Sequence, residues 1–444
     1  MNGNSHEDID ALDDGVGSDG SLDGRAPGSS SEADRWLAAQ LLVVVGRPNV
    51  DFELWDGHVV TAPGRERRAD LRVRLEDRGA LYRLLYKPTR TFGDLYTAGR
   101  LTVPGDLVTT LERVYAAMAL AGRDSGPSVR LARRLVAKRA RRNTLEGARE
   151  NIHSHYDLGN EFYELWLDGD YTQYTCAYYP VATATLEQAQ AAKLELVCRK
   201  LRLQPGETVI EAGSGWGGLA RYLVRHYGVE VRSYNISAEQ VAYARERARR
   251  EGLDEHIEYV EDDYRNAEGS CDAFVSVGML EHVGVDNYPV LGRTIDRVLK
   301  DDGRGLIHSI GQDVSWPLNE WIESYIFPGA QPPTLREMMQ IFEPVSLSVV
   351  DVENLRPHYA QTLRHWLERF ETNEQRVEEM FDREFVRAWR LYLSGSVAAF
   401  TEGQLQLFQV LFRRPLCRTL PQTRDHMRVG PGDLNGPQIR ETGH

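Results

Sequence analysis

The stretch "TVIEAGSGWGGLARYLVRHYGVEVRSYNIS", residues 208–237, constrains the fold more than any other part of the chain. A short apolar run at 208–212 ends in glycines at 213, 215 and 218, and helical periodicity begins near Trp216. A second apolar run follows at 229–234. Glycines at a strand-to-helix turn let the backbone approach a ligand closely. Ser237 and Gln240 have the spacing of a capping box for the next helix. "IEYV" (257–260), "DAFVSV" (272–277) and "GLIHSI" (305–310) read as further buried strands with helical segments between them. This alternation predicts an α/β fold, a parallel sheet covered by helices on both faces.

A G-x-G-x-x-G loop also opens nicotinamide dinucleotide sites, where an acid at the end of the second strand grips the ribose. Here that place reads Tyr234-Asn235-Ile236, with no acid. Glu211 stands just before the glycines instead. Acid-x-G-x-G is the arrangement of S-adenosylmethionine (SAM) methyltransferases, in which the first-strand carboxylate serves the charged methionine end. The expectation is therefore a class I SAM-methyltransferase Rossmann-like sheet. A nicotinamide oxidoreductase remains the outside reading, opposed by the missing acid.

The chain of 444 residues exceeds one ordinary core and points to two domains. Residues 1–34 hold nine acidic residues and one basic, so they carry −8 of the net charge of −13. They have almost no large apolar residues and read as a disordered acidic tail. Nothing in them resembles a signal peptide. Residues 35–121 read as a small α+β domain: "ADLRVRL" (69–75) alternates like a half-buried strand. Asp106 is placed to cap a helix carrying Leu107, Leu111, Val114 and Met118 on one face. Residues 122–149 form a basic linker, with seven basic and no acidic residues in 129–142. The catalytic body is expected over 150–414, and a mostly disordered tail over 415–444. Trp366, Phe370, Phe400, Leu405, Phe408 and Phe412 fall at near-helical spacing and read as core of C-terminal helices. The four cysteines, Cys176, Cys198, Cys271 and Cys417, are too scattered for a disulfide framework or a zinc site, which fits a reducing cytoplasm. No metal site is expected.

A set of ordered motifs makes the reading specific. "ENIHSHYDLGNEFYELWLDGDYTQYTCAYYP" (150–180), "EAGSGWGGLA" (211–220), "NISAEQ" (235–240), "DDYRN" (262–266) and "VSVGMLEHVG" (275–284) come first. "LIHSIG" (306–311), "WIESYIFPG" (321–329), "HYAQTLRHWLERF" (358–370) and "SGSVAAFTEGQLQLFQVLFRR" (394–414) follow. Together they resemble the cyclopropane-fatty-acyl-phospholipid synthase family, which includes mycolic-acid cyclopropane synthases. The N-terminal block is a looser match, with "FGDLYTAGRLTVPGDL" (92–107) its most family-like stretch.

The resemblance implies that Tyr174, Thr175, Gly213 and Gly215 contact SAM. It gives Asn235, Ile236 and Gln240 to the ribose region, and Tyr264 and Arg265 to the adenine end. Ser214 stands where the family commonly has Cys, and Asn235 where it has Thr. Methyl transfer to an isolated cis double bond leaves a carbocation, and one proton must then leave for a ring to close. The resemblance implies a bound bicarbonate as that base, held by Cys176, Glu281, His308 and Tyr359 with the backbone of Ile310. Taken singly, Cys176 reads as a small buried hydrophobe, Glu281 and His282 as helix caps, His308 as a structural core histidine and Tyr359 as packing. Only their joint match to the family favours the site.

The implied activity is one-carbon transfer to unsaturated phospholipid acyl chains, with cyclopropane formation as the first outcome. A methylene-branched product, saturated by a separate reductase partner, is the alternative, and an inactive lipid-binding protein is a further one. The interleaved apolar and basic residues of 129–142 suit an anionic membrane surface, with Arg133, Arg134, Lys138 and Arg139 as contacts. The expected location is cytoplasmic, peripheral on the inner face of the membrane. The family implies a homodimer. Nucleic-acid binding is disfavoured, because the chain is acidic overall and carries no recognition motif.

Overall fold

The computed structural model of the chain describes residues 28–123, 158–416 and 420–433. The N-terminal block runs α1 (Glu32–Val44), β1 (Asp51–Glu53), β2 (Val59–Val60), β3 (Arg72–Leu75), α2 (Arg78–Tyr86), α3 (Pro88–Thr97), β4 (Leu101–Thr102) and α4 (Leu107–Arg123). Its strands form a small sheet in the order β2-β1-β3-β4. The half-buried strand expected at 69–75 is β3. Asp106 caps α4 as expected, accepting from the Val108 amide at 3.0 Å. Met118, however, is 40% exposed rather than core.

The boundary placed at residue 34 falls inside α1. Ser31 caps that helix, its hydroxyl accepting from the Asp34 amide at 3.2 Å. The Asp34 carboxylate is buried and takes a 2.9 Å bond from Arg78 Nε. The Trp55 indole N–H donates to the Gly28 carbonyl at 2.7 Å. Composition could not foresee this, because the partners lie far along the chain. Residues 1–27 and the basic segment 129–142 lie outside the described residues.

The body continues with α5 (Asn160–Glu164), α6 (Leu186–Leu201), β5 (Thr208–Ala212), α7 (Gly218–Tyr227), β6 (Glu230–Asn235), α8 (Ala238–Arg250), β7 (Ile257–Glu261) and β8 (Cys271–Val277). Then come α9 (Tyr288–Val298), β9 (Leu299–Gly311), α10 (Glu320–Tyr325), α11 (Leu335–Phe342), β10 (Ser348–Asn354), α12 (Arg356–Thr372), α13 (Glu374–Met380), α14 (Arg383–Thr401) and β11 (Gln406–Arg413). The sheet order is β10-β11-β9-β8-β5-β6-β7. Strands β5 to β9 pair in parallel, and β11 runs antiparallel to both β9 and β10. This is the doubly wound, Rossmann-like sheet expected from the alternation. Strand order reverses beside β5, and such a reversal opens a crevice beyond the carboxyl ends of the strands.

Phe408 and Phe412 are not helical: both lie on β11. Every residue of that strand is buried, so no alternation marks it, and a continuous apolar run reads equally as strand or helix. The tail after 414 is also partly folded. Arg199 Nη2 donates to Asp433 Oδ1 at 2.6 Å, and Arg424 pairs with Asp351. One apolar cluster joins the N-terminal block to α12 and α14, taking in Leu75, Leu81 and Leu101 together with Trp366, Trp389 and Phe400. Each large side chain so buried contributes roughly 1.5–3 kcal/mol.

Candidate active site

The glycine loop after β5 has the shape its sequence asks for. Gly213 and Gly215 have φ of +92° and +50°, backbone that L side chains rarely adopt. A Cβ built on Gly215 meets nothing within 4 Å, so the loop is open on that side. Gly217 is different: a Cβ there strikes the Tyr259 hydroxyl and stands 2.7 Å from Ala244. The loop is anchored by the Gly213 amide donating to the Tyr234 carbonyl at 2.9 Å.

Around this loop the expected residues take up distinct parts. Tyr264 opens the turn after β7, and its buried hydroxyl has no partner in the protein. Arg265 is paired to Asp263 through Nε at 2.7 Å and lies 5.6 Å from the Tyr264 ring centre. Asn235 and Gln240 bond to each other at 2.9 Å. Asn235 also donates to the Gly215 carbonyl at 3.3 Å and accepts from the Ser237 amide at 3.0 Å. Its amide therefore braces the loop. The same pairing breaks the capping box: Ser237 accepts from the Gln240 amide at 3.4 Å, but the Gln240 side chain turns to Asn235. Ile236 follows Asn235 at the end of β6.

Glu211 is 1% exposed and takes the Ser233 hydroxyl at 2.5 Å. Burial pushes its carboxyl up to about 7, against the pull of Ser233 and Lys193. Its side chain bonds across to the neighbouring strand β6. Open backbone at Gly215 and the partnerless Tyr264 hydroxyl suit a ligand such as SAM, which needs close backbone approach and a polar contact at its far end.

Beyond the carboxyl ends of the strands lies a cavity of about 1180 Å³. Tyr174, Thr175, Cys176, Glu281, His308, Ile310 and Tyr359, all named from the sequence, line it together. Glu281 comes from a single 3₁₀ turn after β8, His308 and Ile310 from the end of β9, and Tyr359 from the first turn of α12. Three separate crossings of the sheet thus deliver them to one wall.

The electrostatics of this wall are set by burial. Glu281 Oε1 accepts the Ile310 amide at 2.5 Å, while Oε2 is buried with no partner. Burial pushes the Glu281 carboxyl up to about 7, against the opposing pull of its own backbone amide, the Ile310 amide and Ser309. The Ile310 N–H, expected to face an anion, donates here to Glu281. His308 Nε2 is the second buried, partnerless polar atom, and burial holds its imidazole well below the ordinary value. Cys176 is fully buried, its thiol directed at the Ala177 carbonyl at 3.0 Å and raised by burial. A small oxygen-rich group suits a site offering one acceptor at Glu281 and one open nitrogen at His308.

Aromatic faces complete the cavity. The Tyr174 and Tyr392 hydroxyls bond at 2.8 Å, and Tyr359 packs on Phe400 with ring centres 4.5 Å apart. Sequence reasoning missed Tyr392 and Phe327, which also line it. It also missed the buried Lys193, which donates to the Thr175 hydroxyl at 2.9 Å. A fully buried lysine inside an apolar helix pattern was the available signal. The cavity continues to a rim where Val314 is 59% and Trp316 38% exposed.

Comparison with known proteins agrees with this geometry. A family profile described as mycolic acid cyclopropane synthetase matches residues 143–410. A probable fatty acid methyltransferase of Pseudomonas putida is 39% identical over 289 residues, 63% of this chain and 73% of that one. The cyclopropane-fatty-acyl-phospholipid synthase of Escherichia coli strain K12 is 41% identical over 261 residues, 59% of this chain and 66% of that protein. The crystal structure of mycolic acid cyclopropane synthase CmaA1, complexed with SAH and CTAB, superposes with a TM-score of 0.57 at 28% identity, covering 60% of this chain and 98% of that one. With the sheet, the glycine loop and this match in place, the chain belongs to the mycolic acid cyclopropane synthetase family and is a SAM-dependent methyltransferase.

Proposed function

We propose that the enzyme adds one carbon to the cis double bond of an unsaturated phospholipid acyl chain and closes a cyclopropane ring. The observation that carries this reading is the cavity itself. It is roomy, mostly apolar and aromatic, and two residues of its wall carry buried polar atoms without partners, Glu281 Oε2 and His308 Nε2. An acyl chain suits such walls, and a partnerless carboxylate oxygen and an imidazole lining the same cavity suit a proton-transfer step.

SAM, when bound, supplies an electrophilic methyl group. Gly213 and Gly215 would let the backbone approach it, with Tyr264 and Arg265 toward its adenine end. The protein's own part is to exclude water, present aromatic faces to developing positive charge, and hold the proton acceptor. Tyr174, Tyr359 and Tyr392 supply the faces. Glu281 and His308 would hold a small oxyanion such as bicarbonate as the base. The lipid substrate is supported by two relatives, a cyclopropane-fatty-acyl-phospholipid synthase and a probable fatty acid methyltransferase. The second relative keeps the methylene-branched product as the alternative.

No helix among the described residues is long and apolar enough to cross a membrane. Access to a bilayer substrate would come from peripheral docking through the basic segment 129–142. The test is incubation with isotopically labelled SAM and vesicles of unsaturated phospholipid, followed by mass and proton spectra of the released acyl chains. A mass gain of one methylene with ring protons is expected. A branched chain would select the alternative, and no labelled lipid would overturn the reading.

A further inference from the structure

His308 is held from behind by a ladder of side chains crossing three strands. Glu353 on β10, Gln409 on β11 and His308 on β9 are register partners, so all three share one face of the sheet. Lys200, from α6, closes the ladder. Its ammonium is 2.5 Å from Glu353 Oε2 and donates to Gln409 Oε1 at 2.7 Å. Gln409 Nε2 lies 3.0 Å from His308 Nδ1. Gln409 is fully buried, His308 is 1% exposed and Lys200 3%.

The order of donors in this ladder has only one consistent solution. An ammonium has no acceptor, so Gln409 must turn its oxygen toward Lys200. The opposite flip would set an NH₂ against an NH₃⁺. The Gln409 nitrogen then faces His308, and an amide NH₂ can only donate. Nδ1 must therefore be the lone-pair nitrogen, and the single proton of the neutral ring stays on Nε2.

We infer that Gln409, locked by Lys200, is a positioning residue that fixes His308 as the Nε2–H tautomer, making it a hydrogen-bond donor into the cavity and not a proton acceptor. The tautomer follows from the ladder alone. Its value to catalysis rests on the reading proposed above, in which a small oxyanion lies at the buried end of the cavity. A donor from His308 would hold one oxygen of such an anion, leaving Glu281 to accept from its hydroxyl. The division of labour follows from two residues outside the cavity wall.

The test reads the ring directly. Protein labelled with ¹⁵N-histidine is examined by long-range ¹H–¹⁵N correlation near pH 8, without SAM or lipid, and the His308→Asn spectrum assigns the signal. Wild type should show protonated Nε2 and bare Nδ1. Gln409→Glu should reverse this, because a carboxylate accepts from Nδ1–H, and Gln409→Leu should give a mixture. Lys200→Met, which leaves Gln409 in place but frees its amide to flip, should also lose the single tautomer. Activity is the second readout: Gln409→Glu should lower kcat at least about tenfold with unchanged SAM affinity. A protonated Nδ1 in wild type would overturn the inference even if no variant folds. So would a Gln409→Leu spectrum identical to wild type. A correct tautomer with no labelled lipid product would count against the proposed function alone.

Discussion

The amide of Ile310 donates to Oε1 of Glu281 at 2.5 Å, and this single bond ties the end of β9 to the turn after β8. It leaves Oε2 as the one carboxylate oxygen available to a ligand. Glu281→Gln keeps the shape and removes the charge. The expected outcome is normal SAM binding, turnover at least about a hundredfold slower, and little recovery with added bicarbonate. Calorimetry for SAM beside turnover in degassed and bicarbonate-supplemented buffer checks it. Near-normal turnover would remove Glu281 from the mechanism.

The same residue governs pH dependence. Its carboxyl, pushed up to about 7 by burial, must be ionised to accept a hydrogen bond from the base, so activity should rise as pH passes through about 7. Glu211 also lies at about 7, so Glu211→Gln is the control that should keep the rise. For stability the sign is opposite. The unfolded carboxylate ionises near its ordinary value of 4.5, while the folded one holds its proton to about 7. Folding stability is thus lost as pH rises across that window. Glu281→Gln should be the more stable protein at pH 8, by on the order of 3 kcal/mol, and lose most of that advantage by pH 5. Urea unfolding at the two pH values measures it.

The glycine loop separates ligand approach from packing. At Gly215 a methyl group meets no atom, so Gly215→Ala should fold with a penalty of about 1–2 kcal/mol for the positive φ and bind SAM at least tenfold more weakly. At Gly217 a methyl group collides with Tyr259 and Ala244, so Gly217→Ala should fail mainly in folding. Melting temperature and SAM titration on both variants distinguish the two outcomes. Equal SAM affinity in folded Gly215→Ala would sink the assignment of the loop.

Membrane docking is expected to be electrostatic. Changing Arg133, Arg134, Lys138 and Arg139 to Gln should weaken binding to anionic vesicles by about 1 kcal/mol per charge at low salt, with less effect at high salt. SAM affinity should not move. Vesicle cosedimentation across a salt series decides it, and equal affinity at low salt would move docking to another surface.

Much of the catalytic body could be read in the sequence because its signals are local. The glycine loop, β5 through β9 and the motif residues around Glu281 and His308 all lie in short contiguous stretches, the strands as apolar runs set off by helical segments and turns. Phe408 and Phe412 were misread because β11 is buried on both faces and has no period of two. The commitments of Asn235 and Ile310 were invisible for a different reason. Each depends on a partner brought in by tertiary folding, Gly215 for one and Glu281 for the other. Gln409 shows the same limit: a glutamine inside "QLFQVLF" announces a buried polar contact, but not with which residue.

The cavity wall has two origins. Phe92, Leu111, Tyr115 and Met118 line it from α3 and α4, whereas the family profile begins at residue 143. The groups set out for chemistry all lie within that profile. Substitutions in the N-terminal block can therefore reshape the cavity wall without touching the residues set out for chemistry. The enzyme carries an exchangeable die beside a separate press.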